Sequence, residues 1–235
     1  MNASNRDKGR SAMSFGRVLG SVVGLAAFVL FWFLLAGRLD WVQGWAFMGF
    51  FLLFVTLLLW RLYRVDPALM VERQGPAETA EPWDRALMTV YSVVLLLLLA
   101  LAALDSGRYR WSAVPLGVQL LGWGLLALAS AIIWHVMTVN AYLSSWARLQ
   151  PDRGQVVVDR GLYGRVRHPM YLGIILFFGG LPLLLASWWA LIPAGVIVAI
   201  FVLRTAREDR MLHGGLPGYP EYAQRVRYRL IPGLW

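Results

Sequence analysis

Two short stretches hold the residues most able to do chemistry. GRVRHPMYLG, residues 164–173, sets Arg165, Arg167, His168 and Tyr171 at the start of a long apolar run, and RTARED, residues 204–209, follows that run. His168 precedes a proline, which biases its backbone away from the helical region, and Pro169 suits the first position of a helix. The free N–H groups of that helix start favour anionic or polar ligand groups, and the two arginines add to the attraction. A membrane-interface boundary uses the same residue types, so both readings of this stretch stand. In the second stretch Arg204 and Glu208 are spaced i, i+4 and share a helix face, with Arg207 and Asp209 turned away. An interfacial salt bridge and a functional ion site are both compatible with that spacing.

Between the two stretches, Met170 to Leu203 gives 34 residues without a charge. One straight helix of that length would run about 51 Å, against a hydrocarbon core of about 30 Å. Pro182 interrupts the run, and Ser187, Trp188 and Trp189 supply turn or interface character. The run therefore reads as a hairpin of two short helices, roughly 170–185 and 188–204. Its two feet then meet: Arg167, His168 and Tyr171 come close to Arg204, Arg207, Glu208 and Asp209.

The rest of the chain must hold that hairpin. Of 235 residues, 59% are hydrophobic and 15% charged, well below the charged fraction of about a quarter in soluble domains. Apolar stretches near residues 17–37, 41–60, 86–104 and 114–134 each have the length of a span. The first is longer than a signal-peptide core and lacks a small-residue cleavage site, so it reads as a retained helix. The expected fold is an all-α integral membrane protein, four transmembrane helices plus the C-terminal hairpin, with a cytoplasmic cofactor pocket. It forms a single membrane-embedded domain over 1–235, with transmembrane segments and a loop in 1–139 and the hairpin and tail in 140–235.

Charge gives the orientation. The net charge is +9, yet the basic residues are spread through loops rather than gathered on one soluble face, which argues against a nucleic-acid partner. Arg38, Arg108 and Arg110 fall on one side of the expected layout and the other 19 of 22 basic residues, from Arg6, Lys8 and Arg10 to the tail, on the other. That richer side is expected to be cytoplasmic, with both termini and the site on it. Residues 61–85 read as a polar connection with one interfacial helix around Ala68 to Gln74. Residues 140–168 read as a loop or a small extended element. The tail, with Tyr219, Tyr222, Tyr228 and Trp235, reads as an interfacial anchor or a lid. No cysteine is present, and His135, His168 and His213 lack the carboxylate pattern of a metal site, so no metal is expected. The Gly-Trp-Gly at 122–124 lacks the context of a dinucleotide fingerprint and reads as small-residue helix packing.

GLYGRVRHPMYLG, then RTAREDRML after the hairpin, then GYPEYAQRVRYRLIPGLW, resembles the C-terminal half of the isoprenylcysteine carboxyl methyltransferases and their bacterial relatives, a group that extends to phospholipid N-methyltransferases. The resemblance covers roughly residues 140–235. It implies an S-adenosylmethionine-dependent membrane methyltransferase, in a bacterial inner membrane, acting on a lipophilic acceptor among membrane lipids. It implies that Gly161, Tyr163, Arg167, His168, Pro169, Tyr171 and Gly173 surround the cofactor with the acids Glu208 and Asp209, where the family often shows two glutamates. Arg204 matches an arginine that orients the acceptor. A carboxylate acceptor is already ionised and needs only a cation such as Arg204; an amine acceptor must lose a proton, and Glu208 would be its base. Carboxyl O-methylation leads, with phosphatidylethanolamine N-methylation as the alternative. An NADPH-dependent reductase of the membrane sterol type, whose extra spans are missing here, and a non-catalytic scaffold are the readings from other classes.

Overall fold

The computed structural model describes residues 15–65 and 79–235. The expected helix at Ala68 to Gln74 and the basic residues Arg6, Lys8, Arg10 and Arg73 lie outside them. The described residues form seven α-helices and no strand: α1 (Phe15–Ala36), α2 (Val42–Val65), α3 (Pro82–Ala102), α4 (Leu116–Val139), α5 (Pro169–Leu184), α6 (Leu191–Gly215) and α7 (Tyr219–Arg225). The 140–168 segment is accordingly a loop with two short 3₁₀ turns.

Three helices among the described residues are long and apolar enough to cross a membrane: α2, α3 with its continuation to Tyr109, and α4. Their outward faces carry exposed Leu53, Val93, Leu96, Leu120 and Leu128, a surface that water would penalise and lipid would not. Inside, Trp32, Phe33, Trp41 and Phe47 interlock edge to face, and the Trp32 indole N–H donates to the Leu99 carbonyl at 2.8 Å.

α4 and α5 cross at glycines. A Cβ on Gly122 would lie 2.6 Å from the Leu184 backbone nitrogen, and one on Gly180 would lie 2.8 Å from the Gly122 carbonyl oxygen. Small residues thus let the two backbones touch, where lipid gives no hydrophobic drive to press them together. Gly124, the other glycine of the pair in the sequence, has open space.

The hairpin exists, with different bounds. Pro182 does not break α5, which continues to Leu184; the turn comes after it, with Ala186 left-handed at φ 57°. Pro182 sits in the last turn, where its missing N–H costs one backbone bond, and its own carbonyl, which has no partner within α5, accepts the Ser187 N–H at 3.0 Å. The second leg begins at Leu191 and runs to Gly215, not to 204. Its 25 residues span about 37 Å, and about three turns of it lie past residue 204, where the expected leg ended. That extension carries Glu208 and Asp209.

The hairpin turn is fastened by a buried acid. α3 widens into a π-helical segment, Ala103–Tyr109, that holds Asp105 fully buried. Its carboxylate accepts from the Ser187 hydroxyl at 2.6 Å and from the Ser112 N–H and hydroxyl at 2.9 and 2.6 Å. Arg108 lies at this same end, beside Gly37. The arginine-rich end is the opposite one.

Candidate functional site

At the arginine-rich end, a cavity of about 300 Å³ opens between the hairpin feet and the 140–158 loop, the lower end of the size range for small-molecule sites. Of the residues singled out in the sequence, Tyr163, Arg167, His168, Tyr171, Arg204 and Glu208 line it, together with Tyr219 and Tyr222 of the tail. Gly161, Pro169, Gly173 and Asp209 stand behind that lining.

Each of these four has a visible packing or bonding role. Gly161 has φ +64°, and a Cβ there would overlap the His135 ring, which accepts the Leu162 N–H at 3.3 Å. Only glycine meets both demands. Pro169 opens α5 with His168 in the N-cap position. Gly173 faces Ile132 and Ile133 of α4, with 3.0 Å from its would-be Cβ to Ile133.

Asp209 is the centre of a buried cluster. Arg167 donates through Nε and Nη2 at 2.8 and 3.2 Å, Arg229 Nε at 2.8 Å and the Tyr219 hydroxyl at 2.9 Å; His168 Nε2 lies 3.2 Å away. Burial by itself would raise the Asp209 carboxyl, but the hydrogen bonds from His168, Arg167 and Arg229 overcome it and hold the group well below the ordinary carboxylate range. Burial first, and the Asp209 charge next, push the Tyr219 phenol well above its ordinary value. Tyr222 is likewise raised, chiefly by burial, and its hydroxyl donates to the Tyr163 carbonyl at 2.7 Å.

The tail is therefore partly inside. Tyr219 and Tyr222 are buried, while Tyr228 is exposed. Arg167 Nη1 donates to the carbonyls of Val226 and Arg227, both at 2.8 Å, and the backbone N–H groups of Arg167 and His168 donate to the carbonyls of Tyr228 and Arg229, both at 2.9 Å. These bonds join the RHP motif to the tail.

Arg204 and Glu208 share a face but do not pair with each other. The Tyr171 hydroxyl donates to Glu208 Oε2. Arg204 instead meets Asp84, in the first turn of α3: Nε lies 2.7 Å from Oδ1, and Nη2 2.9 Å from Oδ2. Nη2 also donates to the Ser145 carbonyl at 2.9 Å, and Asp84 Oδ2 accepts the Ala147 N–H at 2.7 Å. The Arg204 guanidinium stacks 5.4 Å from the Tyr171 ring centre. Arg207, turned away from the face of Arg204 and Glu208, lies exposed over the Trp83 ring at 5.8 Å.

Sequence reasoning missed Asp84 and the loop wall. Asp84 read as part of a polar connection; an acid just inside a Pro-started helix is also an ordinary partner of the helix dipole, which hides a longer-range role. The loop is ordered by buried Gln150, whose amide donates to the Tyr142 carbonyl at 2.7 Å and whose N–H donates to Gln155 Oε1 at 2.8 Å. Nothing periodic announces such a wall.

Chemically, the cavity offers an acid in Glu208, guanidinium groups in Arg167, Arg204 and Arg148, and apolar walls at Met137, Val156, Val157, Leu212 and Leu216. It can hold a ligand that carries both charges and an apolar ring. No curated protein matches the chain. Residues 116–215, which run from α4 through the end of α6, match the model of the PEMT family, phospholipid methyltransferase, the wider group that the RHP and RTARED motifs resemble.

Proposed function

We propose that this protein is an S-adenosylmethionine-dependent membrane methyltransferase whose acceptor is a lipophilic carboxylate, as in isoprenylcysteine O-methylation. The observation that carries the reading is the convergence of Arg167, His168, Tyr171, Arg204 and Glu208, drawn from both feet of the hairpin, on one cavity. The family match supports the reaction class.

The residues suit the cofactor. Glu208 offers a carboxylate to its amino group, and Arg148 offers its own carboxylate a partner, since the Arg148 Nε is buried without one. Val156, Val157 and Leu216 give an apolar face for the adenine. When bound, S-adenosylmethionine supplies a sulfonium methyl for an in-line displacement that leaves the electron pair on sulfur. The protein's own task is then alignment and exclusion of water. Arg204 holds the acceptor carboxylate, which needs no base. His168 stacks on Tyr171 with ring centres 5.8 Å apart, and Tyr171 in turn fixes Glu208. The site faces the cytoplasm on the charge distribution.

One observation favours a second acceptor class, an amine such as that of phosphatidylethanolamine. Among the described residues no ion pair joins Glu208 to a cation, whereas Arg204 is already paired with Asp84. On that reading Glu208 takes the proton of the amine.

Purified protein in lipid vesicles, given methyl-labelled S-adenosylmethionine and native lipid extract, separates the two: a base-labile ester supports the carboxylate, a labelled headgroup the amine. Calorimetry should show cofactor binding by the wild type and none by Glu208→Ala or His168→Ala. No binding by the wild type overturns both acceptor classes, and normal binding by both variants overturns the site.

A further inference from the structure

We infer that Asp84 is a positioning residue for the methyl acceptor: it locks the Arg204 guanidinium in the cavity wall and fixes which of its nitrogens remains for the acceptor. The inference rests on the methyltransferase reading above and concerns a residue 120 positions away from Arg204 in sequence.

Asp84 is fully buried and Arg204 nearly so, at 0% and 6% exposure. Two charges taken out of water at such depth need close geometry to offset their desolvation. Here Nη2 of Arg204 donates to Oδ2 at 2.9 Å, while Nε lies 2.7 Å from Oδ1 as a close ion contact without hydrogen-bond alignment, so both carboxylate oxygens face one edge of the guanidinium. Nη2 is further held by the Ser145 carbonyl. Nη1 is the guanidinium nitrogen that makes none of these bonds.

The same carboxylate reaches the cavity wall directly. Its Oδ2 accepts the Ala147 N–H at 2.7 Å, and Ser145, Trp146 and Ala147 all line the cavity, whereas Asp84 does not. A second bond, from the Glu81 N–H to the Ala147 carbonyl at 3.1 Å, ties the start of α3 to that loop residue. One buried acid therefore joins α3, α6 and the loop at the point where an acceptor would meet Arg204. The pair sits on the face of α6 that Arg204 shares with Glu208 and the cavity.

The cofactor residues are held differently. Arg167 and His168 depend on Asp209 and the tail, not on Asp84. Arg148, next to Ala147 in the loop that Asp84 also holds, is the cofactor partner within reach, so Asp84 substitutions should weaken acceptor use far more than cofactor binding. In vesicle-reconstituted protein, with S-farnesyl-N-acetylcysteine and phosphatidylethanolamine as the two acceptor probes, Asp84→Asn should lower kcat/KM for the acceptor that the wild type methylates by about 10- to 100-fold, the scale of a misplacement near 1 Å. Its calorimetric Kd for S-adenosylmethionine should stay within about threefold. Asp84→Glu keeps the charge while moving the carboxylate by one methylene; it should show an intermediate loss and carries the test alone if Asp84→Asn does not fold. In an Arg204→Gln background, Asp84→Asn should cause no further loss. Methyl transfer by the wild type to neither probe removes the underlying reading instead. With an active wild type, unchanged acceptor kinetics in Asp84→Glu, or an equal weakening of cofactor and acceptor, overturns the positioning role.

Discussion

Replacing Asp209 with alanine should free the tail without unfolding the bundle. Asp209 is 1% exposed, and its carboxylate receives Arg167, Tyr219 and Arg229, with His168 at 3.2 Å. Arg167, itself 8% exposed, accounts for most of the cost, because its charge would remain buried without its partner. Removing one member of such a pair costs about 3–5 kcal/mol. Arg229 is about one-third exposed and adds little. The bonds that remain between the motif and the tail, chiefly Arg167 Nη1 to Val226 and Arg227, limit how much of that cost appears as tail release. Taking the low end, about 3 kcal/mol, opening of the tail becomes more than 100-fold easier at 1.4 kcal/mol per tenfold. Hydrogen exchange of the protein in detergent reads this directly. The amides of Arg167 and His168, which bond to Tyr228 and Arg229, should exchange about 100-fold faster, as should that of Val226. Amides of α4 and α5 near the Gly122–Gly180 crossing should keep their protection. If the amides of Arg167 and His168 change by less than about fivefold, Asp209 does not dock the tail, and the bonding described around it is energetically idle.

Two other outcomes follow from the same structure. The folded carboxyl of Asp209 titrates below its unfolded value near 4, so its stabilisation is complete above about pH 4 and fades as pH falls further; the folded phenol of Tyr219 titrates above its unfolded value near 10, so its stabilisation is complete below about pH 10 and fades as pH rises further. Tail protection in hydrogen exchange, corrected for intrinsic rates, should hold level between those limits and fall outside them. Gly122→Val should push α4 from α5, since its Cβ would lie 2.6 Å from a backbone nitrogen that cannot swing aside, and should lower the thermal midpoint by several degrees, whereas Gly124→Val should leave it unchanged.

The hairpin was legible because two independent constraints agree: a run too long for one crossing, and arginine on both flanks. Those constraints are coarse, and they locate feet rather than boundaries. Pro182 misled the reading because a proline can be accommodated within a helix at a local cost, and α5 runs two residues past it before the turn. Gathering Arg167, His168, Tyr171, Arg204 and Glu208 was possible once the hairpin closed. The partners within that group were not, since i, i+4 spacing permits an Arg204–Glu208 pair without requiring it. Asp84 won the arginine because it is buried beside it, a fact of tertiary packing with no trace in local spacing.

Three buried aspartates share a task that apolar packing performs poorly in lipid. Helices surrounded by hydrocarbon gain little from bringing leucine to leucine, so orientation falls to close-packed glycines and polar contacts. Asp105 fixes the hairpin turn to the end of α3, Asp84 fixes α6 to the start of α3, and Asp209 fixes the tail to the foot of α5. α3 is thus pinned to the hairpin at both its ends, by Ser187 near one and Arg204 near the other. The bonds of Asp105 are to neutral hydroxyls and amides, while Asp84 and Asp209 hold arginines. The charged fastenings stand at the end with the cavity, and two of the arginines they hold, Arg204 and Arg167, also line it. That end is rigid by the same bonds that arrange these cations, so a substitution that alters either one must also alter how the helices are held.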